Sequence, residues 1–298
     1  MINIKTMVDI GDKKLEVWMK GKGRTIIIQP VMISPLPEWE PLCEDLSTEA
    51  RVILYNRAGC GKSDKGIKPR NRNENAKDLK ALIDKLCITS PVIIGHSYGG
   101  LILQQFALDY PNLAAGFIFV DSTSMDAHML EDVEIEGEDG NSTEAWIEKC
   151  KWYATLSKED LLEEVKDWIS EQEEFVSESK PTEILEFMSN PIMFASVGEE
   201  LHYDLLSSGE TNQRKDFPET STIIIGRDPK VSVEEMIITE GLHRSEAEEI
   251  ERIWQYLIRR QTKFNTQTEY FLAENSGHSI HMDKAEMIRK AAKSLLYI

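Results

Sequence analysis

Pro91-Val92-Ile93-Ile94-Gly95-His96-Ser97-Tyr98-Gly99-Gly100-Leu101-Ile102-Leu103-Gln104-Gln105-Phe106-Ala107 joins an apolar run to a helical pattern through a turn of the form G-x-S-x-G. The β-branched residues before Gly95 suit a buried strand, and the residues after Tyr98 suit a helix. A serine on so tight a strand-to-helix turn is held out from the sheet edge. The glycines two residues to either side let the turn close without a clash. The first turn of the following helix offers free N–H groups and the positive end of a dipole, which suit a developing oxyanion.

A serine hydroxyl is a poor nucleophile at neutral pH and needs a base. The chain has six histidines. His278 lies in Glu274-Asn275-Ser276-Gly277-His278, directly after the strand-like Glu269-Tyr270-Phe271-Leu272-Ala273. A loop at a strand end can reach a neighbouring strand's loop. The imidazole then needs a carboxylate to orient it. Asp228 is the first choice, because Thr222-Ile223-Ile224-Ile225-Gly226 reads as a buried strand and Arg227-Asp228-Pro229 turns off its end. The second choice is Asp121, at the end of the strand that follows the elbow helix.

These features resemble the α/β-hydrolase fold, over residues 1–121 and 217–298. The chain order Ser97, Asp228, His278 is the order of nucleophile, acid and base in that fold. Asn56-Arg57-Ala58-Gly59-Cys60-Gly61-Lys62-Ser63-Asp64 resembles the family's turn after the fourth strand, usually D-x-x-G-x-G-x-S, with Asn56 in place of the aspartate. Ser276-Gly277-His278-Ser279-Ile280-His281-Met282-Asp283 resembles the histidine loop, and Phe119-Val120-Asp121-Ser122 the end of the sixth strand. The family usually has His-Gly after its third strand. Here Thr25-Ile26-Ile27-Ile28 is followed by Gln29-Pro30, and proline has no N–H to donate. By position, the resemblance implies oxyanion donors at the backbone N–H groups of Tyr98 and Val31.

At 298 residues the chain has room for one large α/β domain with an insertion. Its 41% apolar and 29% charged residues suit a globular fold. Strands are expected near 2–9, 13–19, 24–29, 51–55, 91–95, 116–121, 221–226 and 268–273. Helices are expected near 38–49, 72–87, 98–110 and 245–262, with a last one from about 283. Such alternation predicts a largely parallel sheet covered by helices, the first two strands forming an antiparallel start.

Residues 122–216 interrupt the alternation between the sixth and seventh strands and read as a helical cap. Its pieces run from Thr143 to Leu156, from Lys158 to about Val176, and from Pro181 toward Glu200, with Ser157 as an N-cap. The segment Glu131 to Gly140 reads as a mobile loop. The cap aromatics Trp146, Trp152, Tyr153, Trp168 and Phe175 fit core positions better than pocket ones.

The net charge of −18 is concentrated in this insertion. Residues 122–219 hold 26 acidic and 7 basic side chains, whereas the remainder holds 26 and 27. An acidic surface argues against nucleic-acid partners and against docking on anionic lipid. No apolar run is long enough to span a bilayer, and no secretory signal is visible at Met1-Ile2-Asn3-Ile4-Lys5. The four scattered cysteines suggest free thiols, and a cytoplasmic location is expected.

Two rival motifs fail on inspection. Gly61-Lys62-Ser63 ends like a phosphate-binding loop, but Asn56 stands where its first glycine belongs and Pro69 breaks the helix that should follow. His278 and His281 lack a third ligand nearby, so no metal is expected. His96, beside the nucleophile, is expected to pack near the elbow. His128, His202 and His243 are expected at the surface or in the cap. The predicted activity is hydrolysis of a small uncharged ester through an acyl-enzyme, without a cofactor and with a small molecule as partner. The same groups could serve C–C bond hydrolysis, acyl transfer, amide hydrolysis, cyanohydrin cleavage or a non-catalytic receptor.

Overall fold

A computed structural model describes residues 2–133, 142–173, 181–206 and 216–297. Its frame is an eight-stranded sheet of β1 (Ile2–Asp9), β2 (Lys14–Gly21), β3 (Thr25–Gln29), β4 (Arg51–Tyr55), β5 (Val92–His96), β6 (Gly116–Val120), β7 (Thr222–Arg227) and β8 (Thr268–Ala273), in the order β1-β2-β4-β3-β5-β6-β7-β8. β1 pairs antiparallel with β2, and β2 with β4. All further pairings are parallel. The central strands are short runs such as Ile26-Ile27-Ile28 and Phe117-Ile118-Phe119-Val120, buried on both faces as parallel strands require.

Side-chain alternation sends these strands into two cores. Ile27, Ile93, Phe117 and Phe119 face α2 (Arg72–Lys85), α3 (Tyr98–Asp109) and α10 (Arg244–Gln261). Ile26, Ile28, Ile118 and Ile225 face α1 (Leu36–Leu46) and α12 (Ala285–Leu296). The strands and helices expected in residues 1–121 and 217–298 are all present, with ends within three residues of the predicted ones. Unforeseen were α9 (Pro229–Glu235), which continues into a π-helical turn over Met236–Glu240, and the short α11 (Ile280–Asp283).

Between β6 and β7 the chain forms α4 (Thr143–Tyr153), α5 (Lys158–Glu164), α6 (Lys166–Glu173), α7 (Pro181–Met188) and α8 (Pro191–Leu201), followed by a π-helical turn over His202–Leu206. Ser157 caps α5 as expected, its hydroxyl accepting the Asp160 N–H at 3.1 Å. The single helix foreseen from Lys158 is divided at Val165, and its end beyond Glu173 lies outside the described residues. The helices share an apolar core with Ile147, Leu161, Ile184 and Phe194. Tyr153 belongs to that core, Trp146 and Trp168 meet edge to face at 6.0 Å, and Trp152 is exposed. Phe175 and most of the segment Glu131–Gly140 lie outside the described residues.

α8 sits directly on the turn after β4. A Cβ on Gly59 would come within 1.9 Å of the Ser196 hydroxyl oxygen, so only glycine fits there. In the same turn Asn56 Nδ2 donates to the Glu16 carboxylate at 2.7 Å, a contact that an aspartate would turn into repulsion. α2 begins only at Arg72, well after Ser63, which removes any phosphate-binding loop.

Candidate active site

Ser97 occupies the turn between β5 and α3 with φ 53° and ψ −122°, a strained conformation for a residue with a side chain. The surroundings hold it there. Its N–H donates to Val120 O at 3.0 Å, and its carbonyl accepts from Gly100 N at 2.8 Å and Thr123 N at 3.1 Å. A Cβ on Gly95 would lie 2.7 Å from Gly99 O, and one on Gly99 would lie 2.2 Å from Gln29 O. Both glycines flanking the serine are therefore needed for close backbone approach.

β5 and β6 run in register with His96 opposite Val120, so Ser97 and Asp121 leave adjacent strand ends. His278 Nδ1 lies 2.6 Å from Asp121 Oδ2. Asp121 is fully buried and has φ 36°. Its other oxygen accepts from Trp254 Nε1 at 2.9 Å, and Arg227 Nη1 stands 3.5 Å from Oδ2. Burial alone would push this carboxyl upward. The Arg227 guanidinium, followed by His278 and Trp254, outweighs burial and holds it below the usual carboxylate range.

Asp228, the first choice for the acid, is not a partner of His278. It is the N-cap of α9, accepting Lys230 N–H at 3.0 Å on one oxygen, and Asn275 N–H at 3.0 Å on the other. The correction has a local cause: Asp228-Pro229 is a helix start, with an acceptor at N-cap and proline at N1. Asp228 still braces the histidine loop, because its own N–H donates to Ser276 O at 2.9 Å.

The other imidazoles hold fixed roles. His96 Nε2 donates to His278 O at 2.9 Å. Burial, with His278 and His281 nearby, pushes His96 well below the usual histidine range, so it stays neutral. His281 stacks on Trp39 with ring centroids 4.1 Å apart, and burial pushes it down to about 3. The Glu235 carboxylate lies over Gly277 in the same loop, where a Cβ would sit 2.2 Å from its oxygens. Among the described residues the Ser97 hydroxyl and the His278 ring make no direct hydrogen bond, a looseness common before substrate arrives.

The positions expected to supply oxyanion donors lie in two different elements. Tyr98 is the first residue of α3, and its side chain is buried. Val31 follows β3 and lines a cavity of about 1100 Å³ together with His278, Glu38 and Trp254. Burial pushes Glu38 up to about 7, against a hydrogen bond from Ser34. Arg57, Asn75, Glu200 and Asp204 form a buried network behind the elbow. Sequence reading missed these four, and also Glu235, Arg227 and Trp254. The strongest available signal was Arg57, a charged residue between the end of a buried strand and two turn glycines. Among the described residues no cluster of side chains suits a metal ion, and no helix is long and apolar enough to cross a membrane.

Comparison with known proteins agrees with this architecture. Residues 31–139 match the profile of the alpha/beta hydrolase fold family. The chain is 32% identical over 111 residues to a candidate carbamate hydrolase of Azorhizobium caulinodans, covering 37% of this chain and 42% of that protein. It is also 32% identical over 120 residues to 2-(acetamidomethylene)succinate hydrolase of Mesorhizobium japonicum, covering 40% and 43%. It thus spans about two fifths of the length of the curated relatives it matches. Among solved structures it is similar to an E-2-(acetamidomethylene)succinate hydrolase, with TM-score 0.66, 17% identity and full coverage of both chains. It is similar also to a thermophilic esterase of Thermogutta terrifontis, with TM-score 0.63, 16% identity and coverage of 100% and 98%.

Proposed function

We propose that this chain, which has the α/β-hydrolase fold, is a serine hydrolase acting through Ser97, His278 and Asp121. One observation carries the reading. A buried carboxylate, kept ionised by Arg227, bonds the imidazole, and the end of the adjacent strand carries a strained serine. In this reading His278 accepts the Ser97 proton as the oxygen attacks the carbonyl carbon. Asp121 holds the ring with Nδ1 protonated and steadies the imidazolium that forms. The N–H groups of Tyr98 and Val31 receive the oxyanion. The alcohol leaves with the proton from His278, and water activated by the same ring releases the acid.

The helices between β6 and β7 act as the cap in this reading, and the substrate is a small, uncharged ester. The cavity beside His278 supports that class. Its described lining includes Glu38, Glu131, Glu144, Glu235, Glu240 and Asp283, while its Arg227 is engaged by Asp121 and Glu251. A substrate with its own carboxylates would meet repulsion there. The dicarboxylate named for one relative is therefore a poor guide to this pocket.

The test is labelling with a fluorophosphonate probe and turnover of p-nitrophenyl esters of graded length, with carboxylated counterparts of matched size. Wild type is expected to take one label and to favour the uncharged esters, the preference shrinking as salt rises. Ser97→Ala is expected to lose both the label and the turnover. Equal labelling of the variant refutes the assignment.

A further inference from the structure

The peptide that joins Pro30 to Val31 is outside the sheet, since β3 ends at Gln29. Arg57 Nη1 donates to Pro30 O at 3.1 Å and to Val31 O at 3.2 Å. The same guanidinium is gripped from the other side by Glu200 of α8, with Nε to Oε1 and Nη2 to Oε2 both at 3.1 Å. Glu200 is fully buried and Arg57 almost so. Asn75 Nδ2 holds Glu200 Oε1 at 2.7 Å.

We propose that the Arg57–Glu200 pair is a clamp that aims the Val31 N–H into the active site, making Glu200, a residue of the helical insertion, a positioning residue for the oxyanion site. The reason is peptide geometry. In a planar trans peptide the C=O of one residue and the N–H of the next point in opposite directions. Fixing Pro30 O on the Arg57 side therefore fixes Val31 N–H on the opposite side. Proline at position 30 removes one donor from this turn, so the direction of the next N–H matters more. The elbow presses on the same turn, because a Cβ on Gly99 would lie 2.6 Å from Pro30 O.

A planar, two-pronged guanidinium suits the task better than an ammonium. It can donate two parallel bonds to a carboxylate from one edge while donating to carbonyls from the other. Its burial requires the partner, since an unpaired buried charge is strongly unfavourable. The second oxyanion residue is tied to the same insertion. Tyr98 OH donates to Asp204 Oδ2 at 2.7 Å, and Arg57 lies 5.2 Å from the Tyr98 ring centroid. The insertion thus braces the machinery from behind as well as covering it.

The inference rests on the acyl-transfer reading above, and its test separates the two. Glu200→Gln is assayed for ester turnover and for affinity toward a trifluoromethyl ketone, which forms a tetrahedral adduct with the serine. Affinity for an unreactive ether isostere of the ester is measured in parallel. Arg57→Lys, which keeps the charge and loses the two-pronged fit, and Glu200→Asp, which keeps the carboxylate and shortens its reach, serve if the first variant does not fold. The expected result is a fall of kcat by roughly 10²–10³ with KM little changed, in line with loss of one oxyanion donor. Ketone affinity is expected to fall in step, ether affinity to stay, and Glu200→Asp to restore part of the loss. A wild type that takes no fluorophosphonate label overturns the acyl-transfer reading and the clamp with it. A labelled wild type whose folded variants keep ketone affinity and kcat overturns the clamp alone.

Discussion

β6 and β7 are neighbouring parallel strands, paired with Val120 opposite Ile225, and each is followed at once by an aspartate with a different task. Asp121 leaves β6 with a positive φ, sends its N–H to Ile225 O at 2.7 Å and gives its oxygens to the side chains of Trp254 and His278, the Arg227 backbone N–H reaching Oδ1 only at 3.4 Å. Asp228 leaves β7 in extended geometry and spends its oxygens on backbone N–H groups of Lys230 and Asn275. The residues that follow decide the outcome. Pro229 starts a helix at once and makes Asp228 its cap, whereas Ser122-Thr123-Ser124 starts none and leaves Asp121 open to His278. A carboxylate at a strand end is therefore judged by what its own backbone asks of it before any long-range role is assigned.

The largest test of this contrast is the pair of isosteric substitutions. Asp121→Asn is expected to lower kcat by about 10²–10⁴, by analogy with the serine-protease triad, because an amide cannot hold the productive tautomer. Asp228→Asn is expected to cost less than about tenfold, since asparagine is an equally good cap. Ester turnover with circular dichroism as a control of folding measures both, and the reverse ranking would return the acid to β7.

Next in size is the support beneath Asp121. Arg227 pairs with Asp121 and Glu251 and lies over the Trp254 ring at 4.5 Å. Arg227→Met leaves two buried carboxylates facing each other and is expected to destabilise the protein by about 3–5 kcal/mol. Urea denaturation reads this directly, and a loss below about 1 kcal/mol would mean that the pair is replaced by solvent.

Asp228→Ala is expected to cost about 1 kcal/mol as a lost helix cap. For a chain of this size that is a fall in Tm of a few degrees at most. Activity is expected to stay within about tenfold of wild type, because the loop keeps the Glu235 carboxylate over Gly277. A loss comparable to that of Asp121→Asn would show that bracing the loop matters as much as orienting the ring.

The smallest difference lies in the response to acid. Both aspartates are held below their ordinary range. For Asp228 the first cause is the Asn275 N–H, opposed by slight burial and aided by Lys230. A depressed carboxyl contributes stability that is present above its unfolded pKa and is lost as pH falls through the folded one. Stability is therefore expected to decline below about pH 4, less steeply in either asparagine variant. Salt is expected to erase this difference for the half-buried Asp228 and to leave it for fully buried Asp121. Thermal unfolding between pH 2 and pH 5 at two salt concentrations checks it, and equal salt sensitivity would contradict the difference in burial.

Most of the frame was legible in the sequence. Short apolar runs rich in Ile and Val, separated by helical patterns, leave little choice but a parallel sheet with helices on both faces. The elbow was legible because its glycines and its strand-to-helix switch are local, and the His278 loop because it follows a strand. The helix that hides behind Asp228-Pro229 was also written locally. An acceptor directly before a proline is a helix start on its own terms, whatever the histidine needs.

The remainder is a matter of distance along the chain. The bond between Asp121 and His278 spans 157 residues, and that between Arg57 and Glu200 spans 143. Sequence by itself determined which segments become strands and where the chain must turn sharply, and it singled out Ser97 and His278 as the groups to weigh for chemistry. Only the tertiary structure decided which carboxylate meets the imidazole and which insertion residue backs the Pro30–Val31 peptide. Propensity and pattern act over a few residues, whereas a buried charge is settled by whichever partner the packed fold brings within hydrogen-bond reach.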